Sequence, residues 1–287
     1  MKKVWVLGAS GMLGSAICAQ LEKRKIPCVA TDKKEVDISS YAMLEAFSSL
    51  HEISHVVNCA GYTKVDLAEK EADLAYLANA QGPENLGRLA RKIGAKVLHF
   101  STDYIFSGRD NIPYKESDLP QPINLYGKSK YEGERRLLEQ DPAACILRTS
   151  WLFGLRGRNF ISTMLDLFQH KEEVRVVVDQ IGRPTFCEDV SLAACQLLSH
   201  EGVFHFANRE ETSWHQFAIT IYEEAKKAGL PLRCKEVIPI ASHQYPSLAT
   251  RPSYSVLDTQ KIEKTLGIIP RSWKEMLSLC IRKYKEQ

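Results

Sequence analysis

Short runs rich in valine and isoleucine alternate with longer amphipathic stretches through the first half of the chain. The apolar runs are residues 4–7, 28–31, 55–58, 96–101 and 145–150. Between them, residues 14–22, 41–51, 74–93 and 126–139 carry apolar side chains at roughly helical spacing. Repeated strand–helix–strand units place parallel strands in one sheet with helices on both faces. The pattern therefore predicts an α/β fold with a Rossmann-type, doubly wound parallel sheet.

The second half of the chain predicts a smaller α/β substrate-binding lobe. A glycine-containing basic segment at 154–158 precedes a predicted helix at 159–170 and a strand at 174–178. A helix at 188–199 and a strand at 202–206 are expected to return to the main sheet. We therefore predict an NAD(P)-binding domain of residues 1–153 plus about 186–210, and a discontinuous lobe of residues 154–185 and 211–287. The Pro- and Ser-rich segment 239–255 predicts an ordered loop or a substrate-facing wall.

Charge and cysteine content narrow the class of protein. The 38 basic and 35 acidic residues leave a net charge of +3, which does not indicate a nucleic-acid partner. No apolar stretch reaches the roughly 18 residues of a membrane helix. The eight cysteines show no CxxC pair and no metal-ligand spacing with histidine, as expected of reduced thiols. We expect a cytoplasmic monomer or homodimer without a membrane segment or a metal site.

The glycine-rich segment Gly8-Ala9-Ser10-Gly11-Met12-Leu13-Gly14 directly follows the first predicted strand. Glycines in such a turn let the backbone approach a pyrophosphate, and the helix that follows offers N–H donors at its positive end. The segment predicts a dinucleotide site. Its predicted cofactor contacts are Gly8, Ser10, Gly11, Met12, Leu13 and Gly14.

Residues after the second strand give two opposing indications about the cofactor. Asp32 ends that strand, where a carboxylate accepts hydrogen bonds from the adenosine ribose and favours NAD. Lys33 and Lys34 follow at once and suit the 2′-phosphate of NADP. Asp37 and Ile38 are predicted to line the adenine. The sequence leaves the choice between NADPH and NADH open.

Small residues follow the third predicted strand. Cys59, Ala60 and Gly61 leave room for a flat cofactor at the sheet edge, and Asn79 on the next helix is expected within reach. A plain turn and a capped helix explain these residues equally well.

Tyr126 and Lys130 lie four residues apart in a predicted helix, and Thr102 precedes Tyr126 by 24 residues. On one helical face the ammonium favours the phenolate, which makes the phenol a better proton donor. Hydride arrival at a carbonyl carbon builds negative charge on oxygen, so a positioned acid and a hydroxyl stabilise that transition state. The three residues predict carbonyl reduction with a nicotinamide cofactor, and Tyr126 and Lys130 are also predicted cofactor contacts.

Motifs along the chain resemble the extended short-chain dehydrogenase/reductases and, within them, the dTDP-4-dehydrorhamnose reductase family. They are Asn-Cys-Ala-Gly-Tyr-Thr-Lys-Val-Asp at 58–66, Ala-Asn-Ala-Gln-Gly at 78–82, Ser-Thr-Asp-Tyr-Ile-Phe at 101–106, Tyr-Gly-Lys-Ser-Lys at 126–130, Arg-Thr-Ser-Trp at 148–151, Asp-Gln-Ile-Gly-Arg-Pro-Thr at 179–185 and Arg-Pro-Ser-Tyr-Ser at 251–255. The resemblance spans residues 4 to about 267. Met12 departs from it, because many relatives carry glutamine there.

The resemblance implies reduction of the C4 ketone of dTDP-4-dehydro-β-L-rhamnose to dTDP-β-L-rhamnose with NADPH or NADH. It implies that Tyr126 donates the proton, that Lys130 lowers the pKa of Tyr126 and holds the nicotinamide ribose, and that Thr102 orients the carbonyl. Tyr104 and Trp151 match sugar-contacting positions, although aromatic core packing also explains Trp151. The remaining predicted substrate contacts are Thr102, Asp103, Asn159, Gln180, Arg183 and Arg251.

Two other functions share this fold. The β subunit of methionine adenosyltransferase resembles the chain in its dinucleotide loop and Tyr-Lys pair, and it would bind NADP as a regulatory subunit. That subunit lacks the counterparts of Trp151 and of an intact 179–185 motif, which favours the enzyme. A nucleotide-sugar 4-epimerase or 4,6-dehydratase is the other alternative. Dehydratases place a glutamate after the aspartate at the position of Asp103, and Tyr104 stands there instead.

Overall fold

The computed structural model describes residues 2–286 and confirms the predicted α/β fold with a parallel central sheet. The strands are β1 (Lys3–Leu7), β2 (Cys28–Thr31), β3 (Ile53–Asn58), β4 (Lys96–Thr102), β5 (Cys145–Thr149), β6 (Leu152–Phe153), β7 (Glu173–Val177), β8 (Ile181–Gly182), β9 (Thr185–Phe186), β10 (Gly202–Phe206), β11 (Thr212–Ser213) and β12 (Glu236–Ile240). Six of them form the central sheet in the order β10-β5-β4-β3-β1-β2, and every neighbouring pair is parallel. The strand at 202–206 thus returns to the main sheet as predicted.

Helices cover both faces of this sheet and also build the smaller lobe. They are α1 (Met12–Lys23), α2 (Tyr41–Ser49), α3 (Val65–Ala68), α4 (Ala72–Tyr76), α5 (Gly82–Ile93), α6 (Leu125–Gln140), α7 (Phe160–His170), α8 (Cys187–Leu197), α9 (Trp214–Lys227), α10 (Gln260–Leu266) and α11 (Trp273–Lys285). Within residues 2–286 no helix has the length and apolar composition to cross a membrane.

Strand β1 shows how the alternating side chains build the two sides of the sheet. Val4 and Val6 enter the apolar cluster beneath α1 and α8, whereas Trp5 and Leu7 enter the opposite cluster beneath α2, α5 and α6. Successive side chains of a strand point to opposite faces. Because both faces are buried, the strand reads as a continuous apolar run.

The smaller lobe packs around an apolar cluster of its own. Residues of α7, α9 and α11 meet those of β7 there, with Phe168, Phe217 and Trp273 fully buried. Strand β12 pairs with β7 in parallel, so the Pro- and Ser-rich segment predicted as a loop begins inside a strand. The exact division into two domains stays a prediction, which these separate clusters support.

The predicted continuous helix at 74–93 was wrong in one respect, because a π-helical turn at Leu77–Gln81 separates α4 from α5. Pro83 has no N–H to donate to the carbonyl of Asn79, which an α-helix would require. Gly133 of α6 packs on that carbonyl so closely that a Cβ there would lie 1.8 Å from the Asn79 oxygen. The turn directs the buried side chain of Asn79 toward α6.

Candidate active site

The glycine turn lies at the carboxyl end of β1, next to the end of β3. Gly8 has φ of +71°, and a Cβ on it would approach the Ala60 nitrogen to 2.8 Å. A Cβ on Gly14 would lie 2.2 Å from the Gly8 oxygen. Helix α1 begins at Met12, and its N-cap Gly11 provides no side-chain acceptor. The first N–H groups of α1 therefore remain suited to an anion.

Asp32 lies beside this turn, as the sequence predicted. Its Oδ1 accepts a hydrogen bond from the backbone N–H of Ser10 at 3.0 Å. The exposed Lys33 pairs with Asp37 across 3.7 Å, and Asp37 also accepts from the hydroxyl of Ser39 at 2.7 Å. The prediction that Ile38 lines the adenine does not fit its environment, because its side chain is buried against α5. Leu13 likewise faces the core and offers only its backbone.

Sequence analysis missed Arg156, which joins Ala9, Ser10 and Asp32 in lining one surface cleft. Its loop reaches the glycine turn through Met12, whose Cβ lies 3.7 Å from the position of a Cβ on Gly157. The basic composition of residues 154–158 was the only signal. The sequence did not show which surface that loop approaches.

Asn159 lies where the loop that carries Arg156 meets Met12, and not beside the other predicted substrate contacts. Its Oδ1 caps the N-terminus of α7 by accepting from the N–H of Ile161 at 2.9 Å. Its amide nitrogen donates to the carbonyl of Gly154 at 3.1 Å and lies 3.8 Å from the sulfur of Met12. The side chain thereby fixes the loop that carries Arg156.

Small residues after β3 bring the sheet edge next to α6. The N–H of Ala60 donates to Asn58 Oδ1 at 3.1 Å, and Cys59 packs on the apolar cluster beneath α1. A Cβ on Gly61 would lie 3.0 Å from Asn79 Oδ1 and 4.0 Å from Lys130 Nζ. Asn79 also donates to Ser129 Oγ at 3.0 Å. The predicted neighbours Gly61, Asn79 and Lys130 are therefore together in the structure.

Helix α6 carries Tyr126 and Lys130 and is fixed at its start. Asn124 caps it by accepting from the N–H of Gly127 at 2.8 Å. A Cβ on Gly127 would approach the Tyr104 carbonyl oxygen to 2.1 Å, so glycine lets the helix start lie directly on the segment after β4. This contact brings Tyr126 to the carboxyl end of β4, where Thr102 lies.

Tyr126 and Thr102 meet as the sequence predicted. The phenol lies beside the Thr102 hydroxyl, and its ring meets that of Tyr104 edge to face at 5.8 Å. Burial raises the pKa of Tyr126 to about 12, and the neighbouring Thr102 hydroxyl opposes that rise. A phenol with this pKa keeps its proton at neutral pH.

The family resemblance implies that Lys130 lowers the pKa of Tyr126. In this conformation the Lys130 ammonium is bound to other groups. Its Nζ donates to the carbonyl oxygen of Phe100 at 2.6 Å and lies 3.5 Å from Nε2 of His99. Burial lowers the pKa of Lys130 itself to about 8. The ammonium is thus held against β4, and Thr102 is the group that opposes the rise in the pKa of Tyr126.

The predicted sugar contact Trp151 is used for packing. Its indole stacks on Trp214 with ring centroids 3.6 Å apart and planes 6° apart. A Cβ on Gly182 would lie 2.5 Å from the same indole, and Trp151 adopts φ of +43°. Core packing thus fixes the indole of Trp151, and its contact with the sugar stays a prediction. The partner Trp214 lies too far along the chain for a local pattern to reveal the pair.

Three other predicted substrate residues bind neighbouring segments. Gln180 donates to Ser242 Oγ at 2.9 Å, and Arg183 donates to the carbonyl of Leu257 at 3.2 Å. Arg251 forms an ion pair with Asp66, with 2.6 Å between Nη2 and Oδ2. This pair holds the pKa of Asp66 well below its usual range. The guanidinium of Arg251, a predicted substrate contact, thus already holds a carboxylate, a partner that sequence analysis missed.

Tyr104 and Asp103 complete the cluster around Tyr126. Tyr104 lies beside the guanidinium of Arg251, and the fully buried Asp103 accepts from Thr102 Oγ1 at 3.0 Å and from Ser255 Oγ at 2.6 Å. The structure therefore groups Thr102, Asp103, Tyr104, Tyr126 and Arg251.

Comparison with known proteins shows one consistent likeness. The RmlD substrate binding domain family matches residues 1–286. The spore coat polysaccharide biosynthesis protein SpsK of Bacillus subtilis is 40% identical, with 96% of each chain covered. A dTDP-4-dehydrorhamnose reductase of Aggregatibacter actinomycetemcomitans is 38% identical, with 100% of each covered. The crystal structure of dTDP-4-dehydrorhamnose reductase from Bacillus anthracis in complex with NADP superimposes with a TM-score of 0.92 at 36% identity, with 100% of each chain covered.

Proposed function

The chain belongs to the RmlD substrate binding domain family, and on this premise we propose that Tyr126 donates the proton in its reductase reaction. The enzyme is an NADPH-dependent dTDP-4-dehydrorhamnose reductase. It reduces the C4 ketone of dTDP-4-dehydro-β-L-rhamnose to the alcohol of dTDP-β-L-rhamnose. The observation that carries the assignment of the proton donor is the position of the buried Tyr126 phenol beside Thr102 at the carboxyl end of β4.

The residues at the sheet edge fit a dinucleotide. The close packing at Gly8 and Gly14 leaves backbone where side chains would block a pyrophosphate, and the start of α1 lacks a side-chain acceptor. Bound NADPH supplies the hydride. Asp32 is suited to the adenosine ribose, and Gly61 leaves space beside Lys130 for the nicotinamide ribose.

Arg156 supports the preference for NADPH. It shares a cleft with Ser10 and Asp32, and it is exposed with its guanidinium available. A guanidinium recognises phosphate through paired N–H donors. We assign it to the 2′-phosphate together with Lys33, whose exposed ammonium pairs with Asp37 at 3.7 Å.

Tyr126 retains its proton until negative charge develops on the ketone oxygen, because its pKa is raised to about 12. Thr102 lies beside it and supplies the second hydroxyl near that oxygen. A general acid and a hydrogen-bond donor placed where charge develops lower the barrier to reduction. The role of Lys130 on α6, whose ammonium is held against β4, is to hold the cofactor ribose.

Two further predictions concern the cellular location and the oligomeric state of the enzyme. All eight cysteines are free thiols, which fits the predicted cytoplasmic location. The oligomeric state, monomer or homodimer, is a prediction that light scattering coupled to size exclusion will decide.

The test is substrate-dependent oxidation of NADPH and NADH, with dTDP-4-dehydro-L-rhamnose generated in situ. We expect loss of nicotinamide absorbance only when the sugar is present, and faster loss with NADPH. Cofactor binding without oxidation would contradict the reductase and favour the regulatory-subunit alternative. Oxidation of the cofactor only with a different nucleotide sugar would show that this other sugar is the substrate.

A further inference from the structure

The only proton of the Thr102 hydroxyl is directed into the protein. Its oxygen accepts from the backbone N–H of Tyr104 at 3.2 Å, and the phenol of Tyr126 lies beside it. Its single proton is donated to Oδ1 of Asp103 at 3.0 Å. A hydroxyl offers one donor and two acceptor sites. In this arrangement Thr102 has no proton left for a ketone oxygen.

Asp103 is the group that takes this proton, and it is almost fully buried. Its side chain is 2% exposed, and its second oxygen accepts from the equally buried Ser255 at 2.6 Å. Burial raises the pKa of Asp103 to about 7, while the hydroxyls of Ser255 and Thr102 oppose the rise. Near neutral pH the carboxylate and the carboxylic acid are therefore both populated.

We propose that Asp103 is a positioning residue, whose carboxylic acid form turns the hydroxyl proton of Thr102 toward the substrate ketone. This inference rests on the proposed function. In the acid form, Oδ1 carries a proton and donates it to Thr102, while Oδ2 continues to accept from Ser255. Thr102 then accepts from Asp103 and from the Tyr104 N–H, so its own proton is free. Together with the phenol proton of Tyr126, it can then be directed to the ketone.

The carboxylate form has the opposite effect. It accepts the Thr102 proton, so Thr102 has no proton to donate to the substrate. The two forms differ by the single proton that Asp103 gains or loses and by the hydrogen bonds that this proton rearranges. The reductase reaction should therefore slow as Asp103 ionises with rising pH.

Other titratable groups surround Asp103 and bear on this pH dependence. Tyr104 on the same turn and Tyr126 on α6 both have raised pKa values, and that of Arg251 on the facing loop is raised as well. These three groups do not change charge near neutrality. Lys130, one turn beyond Tyr126, has its pKa lowered to about 8 and can give a decline of its own. The test must therefore separate Asp103 from Lys130.

Asp103→Asn makes that separation. Its amide nitrogen donates to Thr102 and its oxygen accepts from Ser255, so the variant keeps the hydrogen-bond pattern of the acid at every pH. We expect this variant to carry out single-turnover reduction at nearly the same rate at about pH 6 and about pH 8, since the donors toward the ketone remain. The decline of the wild-type rate through about pH 7 should disappear. Ser255→Ala removes a donor that stabilises the carboxylate, so its decline should move to higher pH.

Two results would overturn the proposal. One is an Asp103→Asn variant that still binds NADPH and is inactive at every pH, because the carboxylate would then be required. The other is an unchanged decline in Asp103→Asn, which would assign that decline to Lys130.

Infrared titration of the substrate-free protein tests the same residue without turnover. The carboxylic acid band that is lost in Asp103→Asn should be present at about pH 6 and gone above about pH 8. Absence of that band throughout the range would also overturn the proposal. Wild-type protein that shows the band and fails to reduce the sugar would contradict the proposed function and leave the ionisation of Asp103 established.

Discussion

Glu134 and Arg148 form a buried ion pair that ties α6 to the central sheet. Oε2 of Glu134 lies 2.7 Å from Nη2 of Arg148, and both side chains are at most 5% exposed. Arg148 stands on β5, and it also lies over the ring of Phe106. The pair therefore holds the helix that carries Tyr126 and Lys130.

Arg148→Met should destabilise the protein strongly, because it leaves the Glu134 carboxylate buried without its partner. Breaking such a pair costs about 3–5 kcal/mol, which urea unfolding followed by fluorescence would measure. Arg136→Met is the control, since Arg136 binds Glu132 and Glu84 at the surface, where a pair contributes about 0–1 kcal/mol. Equal losses for the two variants would contradict the role given to the buried pair.

Tyr126→Phe should lower kcat by about 10²–10⁴, because it removes the proton donor and keeps the ring. Binding of NADPH, followed by quenching of tryptophan fluorescence, should change little. Tyr131→Phe on the same helix is the control and should retain activity. Unchanged turnover in Tyr126→Phe would remove Tyr126 from the mechanism.

Gly14→Ala should abolish NADPH binding or unfold the turn, because its Cβ would lie 2.2 Å from the Gly8 oxygen. The Gly8 oxygen belongs to the backbone, which cannot move aside as the end of a flexible side chain can. Gly11→Ala is the matched variant, since its Cβ would lie 3.2 Å from the same oxygen and needs only a small shift. Calorimetric titration with NADPH, together with thermal unfolding, would rank the two variants. A milder effect at Gly14 than at Gly11 would contradict the packing argument.

Local patterns in the sequence were enough to predict the sheet and the glycine turn, whereas the role of Thr102 beside Tyr126 came from the family resemblance. Apolar runs of strand length and apolar residues at helical spacing report directly on strands and helices. The contacts that the sequence did not reveal depend on distant partners: Trp151 packs on Trp214, and Arg251 binds Asp66 across 185 positions. The π-helical turn at Leu77–Gln81 depends on Gly133 as well as on Pro83. No local pattern encodes contacts of this kind.

Arg156→Ala should weaken NADPH binding about tenfold and leave NADH binding unchanged, because a charge-assisted phosphate contact is worth roughly 1.4 kcal/mol. Arg158→Ala is the matched control, since it removes the same charge from the same exposed loop outside the cleft of Ser10 and Asp32. Calorimetry with 2′,5′-ADP and 5′-AMP isolates the 2′-phosphate from hydride chemistry. The loss should appear with 2′,5′-ADP alone and should shrink at high salt, since exposed charges are screened. Equal losses for both nucleotides, or for both arginine variants, would mean that Arg156 acts through general charge and that the 2′-phosphate is recognised by Lys33 or Lys34.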